Sequence, residues 1–282
     1  KLRMTRLMAK QMSNLVSRVL VALVGIPLIV ALCLIGKIPF LIFVLLIGLL
    51  AFNEFSGMMK NKNSYTNRII GSLSVLLIIL NEYSNFIEYH IFFVMIILVL
   101  LLSELFRDKS SAINNIGSTL LGIFYIGFFA ASILNVREFY NASAFTYSQG
   151  GYLILSILVS IWLCDSAAYF IGSAYGLHKL MPRVSPKKSW EGAVAGFVFA
   201  VIGMIAAKSL VLEFLTTVQA LVIGIIVGLF GQIGDLVESL IKRDANVKDS
   251  SAIIPGHGGI FDRFDSLLFA SPIVYLYLRL IS

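Results

Sequence analysis

Charge is what this 282-residue chain has least of. Asp, Glu, Lys and Arg make up 13% of it and hydrophobic residues 59%, whereas a soluble domain carries roughly 25% charged residues. That balance excludes a soluble globular protein. Histidine (three) and cysteine (two) are also scarce. Cys33 and Cys164 lie in apolar runs, with no CxxC and no Cys cluster, so a redox pair and a zinc site are excluded and both read as reduced packing residues. No GxxxxGK[ST] and no GxGxxG occurs, which removes the P-loop and the dinucleotide fingerprint. No Ser-His-Asp spacing supports a nucleophilic triad. Acid is missing altogether from residues 1–18, which hold five Lys or Arg and suit an amphipathic interfacial helix. No small-x-small site follows the first apolar run, so no cleavable signal is expected.

What the chain does have is long apolar runs. Nine are expected to span a membrane, at about 19–36, 38–58, 69–83, 86–104, 115–135, 151–173, 191–208, 217–240 and 264–281. Runs near 20 residues long are helical rather than barrel strands. The fold class is therefore all-α, a polytopic integral membrane protein. The net charge of +7 reports topology first, and no nucleic-acid partner is expected. With the N-terminus inside, the inner segments 1–18, 59–68, 105–114, 174–190 and 241–263 hold 18 of the 22 Lys and Arg. Only Lys37, Arg137, Lys208 and Arg279 fall outside. This asymmetry predicts a cytoplasmic N-terminus, an outer C-terminus and two long cytoplasmic loops, 174–190 and 241–263.

Residues 1–150 read as a scaffold of membrane helices, and 151–282 as the region carrying chemistry. Glu54, Glu82, Glu88 and Glu104 sit near span ends and read as interfacial anchors. Gly48, Gly71, Gly117, Gly122 and Gly127 suggest close helix packing. The outer loop 136–150 contains Asn141-Ala142-Ser143, a glycosylation sequon without meaning in a bacterium. The sixth span differs, because Asp165 lies inside it and shares a helix face with Tyr169 and Gly172. An acid at membrane depth usually faces the bundle interior or a wet cavity.

Next comes HKLMPRVSPKKSWEG, 178–192, where Pro182 and Pro186 prevent helix. Ser189 is a candidate N-cap for the seventh span, with Glu191 in its first turn. Lys187 and Lys188 just before that helix N-terminus make a candidate anion site. In the eighth span Gly224, Gly228, Gly231 and Gly234 allow close approach, and Asp235, Ser239 and Lys242 share one face, with Glu238 adjacent.

The polar stretch Ser239 to Asp265, SLIKRDANVKDSSAIIPGHGGIFDRFD, holds four Asp, two Lys, two Arg, one His, three Gly and one Pro. Asp235, Asp249, Asp262 and Asp265 beside a hydrophobic slab would repel one another unless a cation holds them. Oxygen ligands without Cys suit Mg²⁺. Lys242, Arg243, Lys248 and Arg263 suit phosphate oxygens. Pro255 to Gly259 can present bare backbone N–H groups to an anion. Carboxylates, a hard metal, cations and a Gly-rich loop point to phosphoryl or nucleotidyl transfer. An ion-coupled transporter would also use intramembrane Asp residues, but it needs no polar loop of this density.

The stretch resembles the signature of the phosphatidate cytidylyltransferase, or CDP-diacylglycerol synthase, family. Ser239, Lys242-Arg243, Lys248-Asp249, Ser251, Pro255, His257-Gly258-Gly259 and Asp262-Arg263-Phe264-Asp265 fill every position of that pattern. Asp165-Ser166-Ala167-Ala168-Tyr169 and Ser185-Pro186-Lys187-Lys188-Ser189-Trp190-Glu191-Gly192 resemble the family's upstream motifs. By motif the resemblance covers 150–282.

The resemblance implies that CTP and phosphatidate give CDP-diacylglycerol and pyrophosphate with Mg²⁺, held by Asp235 and Asp262, and with room for a second cation. Lys242, Arg243, Lys248, His257, Arg263 and Asp265 are the expected catalytic residues. Asp165, Tyr169, Ser185, Lys187, Lys188, Ser239, Asp249, Gly258 and Gly259 are expected to bind substrate. The expected site is a polar funnel facing the cytoplasm, with a lateral gap for lipid, in a bacterial inner membrane, and a homodimer is implied. The alternatives are a CTP-dependent polyprenol or phytol kinase, and the transporter.

Overall fold

The computed structural model describes residues 19, 21–139, 146–254 and 258–281. The basic segment 1–18, the sequon and His257 lie outside the described residues. Helices occupy all nine apolar runs. They are α1 Val21–Ile35, α2 Lys37–Met59, α3 Arg68–Ser84, α4 Tyr89–Leu105, α5 Ala112–Gly122 continued through a π-turn into α6 Phe129–Arg137, α7 Tyr147–Tyr175, α8 Trp190–Leu210, α9 Thr217–Asp244 and α10 Phe261–Ile281. Six of these rods are long and apolar enough to cross a membrane: α2, the joined α5–α6, α7, α8, α9 and α10. The protein is all-α and integral to a membrane. The other three rods, α1, α3 and α4, have 15, 17 and 17 residues, about 22 to 26 Å of helix against a hydrocarbon core of about 30 Å.

The helix ends follow local chemistry. Asn67 caps α3, accepting from the Ile70 N–H, and Ser111 caps α5. Thr146 with Gln149, and Thr216 with Gln219, form capping boxes that start α7 and α9. Ser189 caps α8 by accepting from the Gly192 N–H, as its place in the sequence predicts. Asn85 ends α3 in the left-handed conformation, which Asn tolerates better than most residues.

One element has no counterpart in the sequence reading. Residues between α7 and α8 form a small antiparallel ribbon, β1 Lys179–Met181 against β2 Ser185–Ser189, paired Lys179 to Ser189 and Met181 to Ser185. Pro182 lies in its turn and Pro186 within β2. The ribbon is too short for an alternating pattern to register, so the prolines signal only the break from helix.

Helices α7, α8 and α9 pack in sequence, and α10 lies against α9 on one side and α2 and α6 on the other. Glycine permits the closest approach of α9 to α10. A Cβ on Gly234 would stand 2.7 Å from the Asp265 carbonyl oxygen. Gly71 likewise sits against the Phe52 ring, whereas Gly117 has nothing within 4 Å and takes no part in packing. In and just after the π-turn Ile123–Phe128, Tyr125 and Phe129 pack on Phe269 of α10, while Phe124 stacks on Phe93 of α4 and Phe128 packs tilted against it. Both cysteines are free and buried, as expected of packing residues.

Candidate active site

The polar residues gather where the C-terminal end of α9 meets the N-terminal end of α10. Three features build the site: a cavity, an acid cluster and a braced loop.

The cavity encloses about 510 Å³ between α7, the ribbon, the start of α8 and α9. Asp165, Tyr169, Lys187, Lys188 and Asp235 line it, so five residues singled out from sequence, from three separate segments, meet there. Lys179, Ser173, Ser189 and Gln232 complete its polar wall. Asp235 and Lys188 form an ion pair across the cavity. Ser239, one turn further along α9, donates to Asp235 Oδ1 at 3.3 Å.

Behind Asp235 lies the acid cluster. One carboxylate oxygen from each of Asp235, Glu238 and Asp265 falls within 4.8 Å of the others. Glu238 has no exposed surface, and neither of its carboxylate oxygens makes a hydrogen bond. Lys242, one turn on, contacts Glu238 Oε2 at 2.5 Å without hydrogen-bond alignment. Three carboxylates with two lysines, Lys188 on Asp235 and Lys242 shared between Glu238 and Asp262, leave a deficit of positive charge. This donor set fits a hard cation, because buried carboxylates in excess of their counter-charges are costly unless one is bound.

Asp262 adjoins that cluster through Lys242, whose ammonium it shares with Glu238. Its Oδ1 accepts from Lys242 Nζ at 2.7 Å, and its Oδ2 from the Ser250 hydroxyl at 2.8 Å, the Ser250 N–H at 3.0 Å and the Gly259 N–H at 2.8 Å. Of the sequence-derived metal pair, Asp235 groups with Glu238 and Asp265, while Asp262 adjoins that group through Lys242 and also organises the loop. Gly258 takes φ +82°, a conformation open to glycine, and its carbonyl accepts from the Ile254 N–H at 2.9 Å to close the loop.

The remaining expected residues are placed otherwise. Arg243 donates to the Val184 and Val247 carbonyl oxygens at 3.2 and 3.0 Å, tying the ribbon turn to the loop. Ser185, Lys248 and Asp249 do not line the cavity. Arg263 is exposed.

Sequence reasoning missed three acids. Glu238 was legible as a neighbour of Asp235 but carried no assigned part. Glu54 and Glu104 are not interfacial anchors. Both are buried, at 4% and 8% exposure. Glu104 is held by Arg107 and Asn115, and Glu54 accepts four hydrogen bonds from the polar loop and the start of α10. The signal was available, because Glu54 is an acid inside an apolar run, the same anomaly that singled out Asp165.

Residues 16–281 match the cytidylyltransferase family. A Bacillus subtilis protein named phosphatidate cytidylyltransferase is 34% identical over 280 residues, 96% of this chain and 100% of its own. Proteins of the same name from Staphylococcus haemolyticus and Staphylococcus aureus are each 32% identical, covering 93% of this chain and 98% of theirs. The likeness runs through the first membrane helices as well as the polar loop, well beyond the reach of the motifs. The chain belongs to the cytidylyltransferase family.

Proposed function

We propose that this protein transfers the cytidylyl group of CTP to phosphatidate, giving CDP-diacylglycerol and pyrophosphate, at the cytoplasmic face of a bacterial inner membrane. The observation that carries this is the junction at Asp235, where an oxygen-only acid cluster adjoins a cavity walled by Lys179, Lys187 and Lys188. Family membership and the relatives' shared name support the same reaction.

The chemistry asks little of a base. A phosphate-monoester oxygen of phosphatidate is already anionic at neutral pH, so it attacks the α-phosphorus of CTP directly. A new P–O bond forms, the bond from the α-phosphorus to the bridging oxygen breaks, and its electron pair leaves with pyrophosphate. The barrier lies in bringing two polyanions together and stabilising the leaving group. Positioning and charge neutralisation address both. Lys179, Lys187 and Lys188 supply positive charge on the cavity wall, and an incoming phosphate competes with Asp235 for the Lys188 ammonium. Lys242, fixed between Glu238 and Asp262, supplies charge at the other edge.

Asp235, Glu238 and Asp265 would hold Mg²⁺. Bound there, the ion would neutralise triphosphate charge and stabilise the leaving pyrophosphate. A second cation would require Asp262 to exchange Lys242 for it. Lipid would enter sideways, a route supported by Tyr169, Phe170 and Trp190, which are 70%, 67% and 57% exposed beside the cavity. The reading includes nine spans with the N-terminus inside and the C-terminus outside, supported by the cation asymmetry and by helices in all nine runs. A C-terminal reporter active only outside the cytoplasm tests it. A homodimer, implied by the family resemblance, is tested by the mass of the detergent-solubilised protein.

The deciding experiment supplies purified protein with Mg²⁺, phosphatidate and CTP labelled at the α-phosphate. Label in the lipid phase with pyrophosphate released is expected, and a chelator should abolish it. Labelled CDP in the aqueous phase would make the protein a lipid kinase, and intact CTP with any lipid would return the transporter.

A further inference from the structure

Glu54 belongs to α2, in the first half of the chain, yet its carboxylate is taken up by residues 196 to 207 positions later. Oε1 accepts from the Ser251 hydroxyl at 2.6 Å and the Ile260 N–H at 3.0 Å. Oε2 accepts from the Ser250 hydroxyl at 3.0 Å and the Phe261 N–H at 2.8 Å. Two donors come from the middle of the polar loop and two from its far end, where α10 begins. We propose that Glu54 is a positioning residue of the active site, clamping the middle of this loop onto the start of α10 and governing the Ser250 hydroxyl that holds Asp262. The inference rests on the cytidylyl-transfer reading for its kinetic consequences, and on geometry alone for the clamp.

Helix capping does not require this arrangement. A Ser, Thr or Asp next in sequence satisfies the first N–H groups of a helix at little cost. A carboxylate from a distant helix satisfies the same groups and also fixes where the loop sits relative to α2. Burying that carboxylate is costly unless it is fully hydrogen-bonded, and here four donors meet it.

The Ser250 hydroxyl is shared. Its oxygen lies 2.8 Å from Asp262 Oδ2 and 3.0 Å from Glu54 Oε2. A hydroxyl has one proton, so it serves one carboxylate at a time. The other is still held by backbone N–H groups, Phe261 for Glu54 and Ser250 with Gly259 for Asp262. The hydroxyl therefore has two settings, and turning toward Glu54 frees a lone pair of Asp262 for a ligand. Gly259 is part of the device, because a Cβ there would collide with the Ser250 hydroxyl and the Glu54 carboxylate.

Glu54→Gln keeps the shape but presents an NH₂ group to two of the four donors. Second-sphere changes of this kind cost about 10- to 100-fold in metal affinity. The half-saturating Mg²⁺ concentration of E54Q is expected to rise about 10-fold on the same scale, with the KM for phosphatidate within a factor of about two. Hydrogen exchange of the Ile260 and Phe261 amides, measured without substrate or metal, should accelerate. Ser250→Ala removes only the shared hydroxyl and should shift the Mg²⁺ dependence without accelerating those amides. A merely structural role would lower the yield of folded protein and leave the Mg²⁺ dependence of the remainder unchanged. Wild-type exchange at 260 and 261 in folded E54Q overturns the clamp, and wild-type Mg²⁺ dependence in S250A overturns the role of the hydroxyl. Should E54Q fail to fold, S250A still decides the second point and Glu54→Asp, one methylene short, the first. Failure of the wild-type protein to make CDP-diacylglycerol would sink the functional reading and leave the exchange result to judge the clamp.

Discussion

Arg137 and Glu238 are both charged and both have no exposed surface, but the protein treats them in opposite ways. Every side of the Arg137 guanidinium is occupied. Nε donates to the Cys33 carbonyl, Nη2 to the Leu34 carbonyl at 3.0 Å and Nη1 to the Tyr147 carbonyl at 3.3 Å. The Tyr147 ring lies 4.6 Å away, and Glu138 is within ion-pair range at 3.9 Å. Cys33 and Leu34 belong to the last turn of α1, whose carbonyls have no partner within the helix. Arg137 is thus a side-chain cap from another helix, and it pins α1 to α6 and α7. Glu238 has one ion-pair partner, Lys242, which it shares with Asp262, and no aligned hydrogen bond. The two lie toward opposite ends of the bundle, since Arg137 packs near Gly36, before the first residue of α2, while Glu238 adjoins the loop held near the other end of α2 by Glu54. A saturated buried charge is architecture. An unsaturated one marks where something else binds.

The largest effect should come from the unsaturated end. Asp235→Asn and Glu238→Gln each remove one carboxylate charge from the cluster without removing volume. Turnover is expected to fall about 1,000-fold, the scale on which a single electrostatic contact to a transition state acts. Thermal melting should hold or rise, because repulsion among three acids is relieved. Asp262→Asn should also abolish turnover while leaving the protein folded. Labelled-CTP assays beside melting curves check all three. Near-normal turnover in Asp235→Asn or Glu238→Gln would erase the contrast with Arg137.

The saturated end should respond the other way. Arg137→Met strips three carbonyls of their donor and leaves Glu138 with less compensation. Breaking a buried charged network costs about 3 to 5 kcal/mol, so the melting temperature should drop markedly. Turnover per folded molecule should stay within a factor of about two, since no cavity residue touches Arg137. A large kcat loss at full folding would mean that the far end of the bundle communicates with the site.

The same contrast explains what could be read from the sequence. Apolar runs have one strong physical cause, so the expected 38–58 and 217–240 became Lys37–Met59 and Thr217–Asp244. Local capping chemistry at Ser189 was equally legible. Asp165, Tyr169, Lys187, Lys188 and Asp235 were named and do meet. Pairings across the chain were not legible. Arg137 looked like an outer-side topology charge, and its partners are carbonyls about 100 residues away, which no side-chain pattern announces. Glu54 meets a loop about 200 residues on. Asp262 looked equivalent to Asp235, and only the packing of α9 on α10 shows that its oxygens belong to Lys242, Ser250 and Gly259.

The smallest effect tests the comparison at its weakest point, the two thiols. Cys33 supplies a carbonyl to Arg137 from the saturated end, and Cys164 adjoins Asp165 at the cavity end. Neither thiol is asked to do chemistry, because both are free and buried. Cys33→Ser with Cys164→Ser keeps both backbones, and hence the carbonyl that Arg137 needs. The cost is that of placing hydroxyls at two buried sites, about 1 to 3 kcal/mol each where no partner is found. Helical backbone lowers it, because a serine can donate to the carbonyl four residues earlier, as Ser156 already does to Tyr152 on α7. Turnover of the folded double variant should therefore match wild type within a factor of about two, and thiol-blocking reagents should not inhibit the wild-type protein. Inhibition by such a reagent, absent in the double variant, would give Cys164 a part beside Asp165 and extend the unsaturated region one residue up α7.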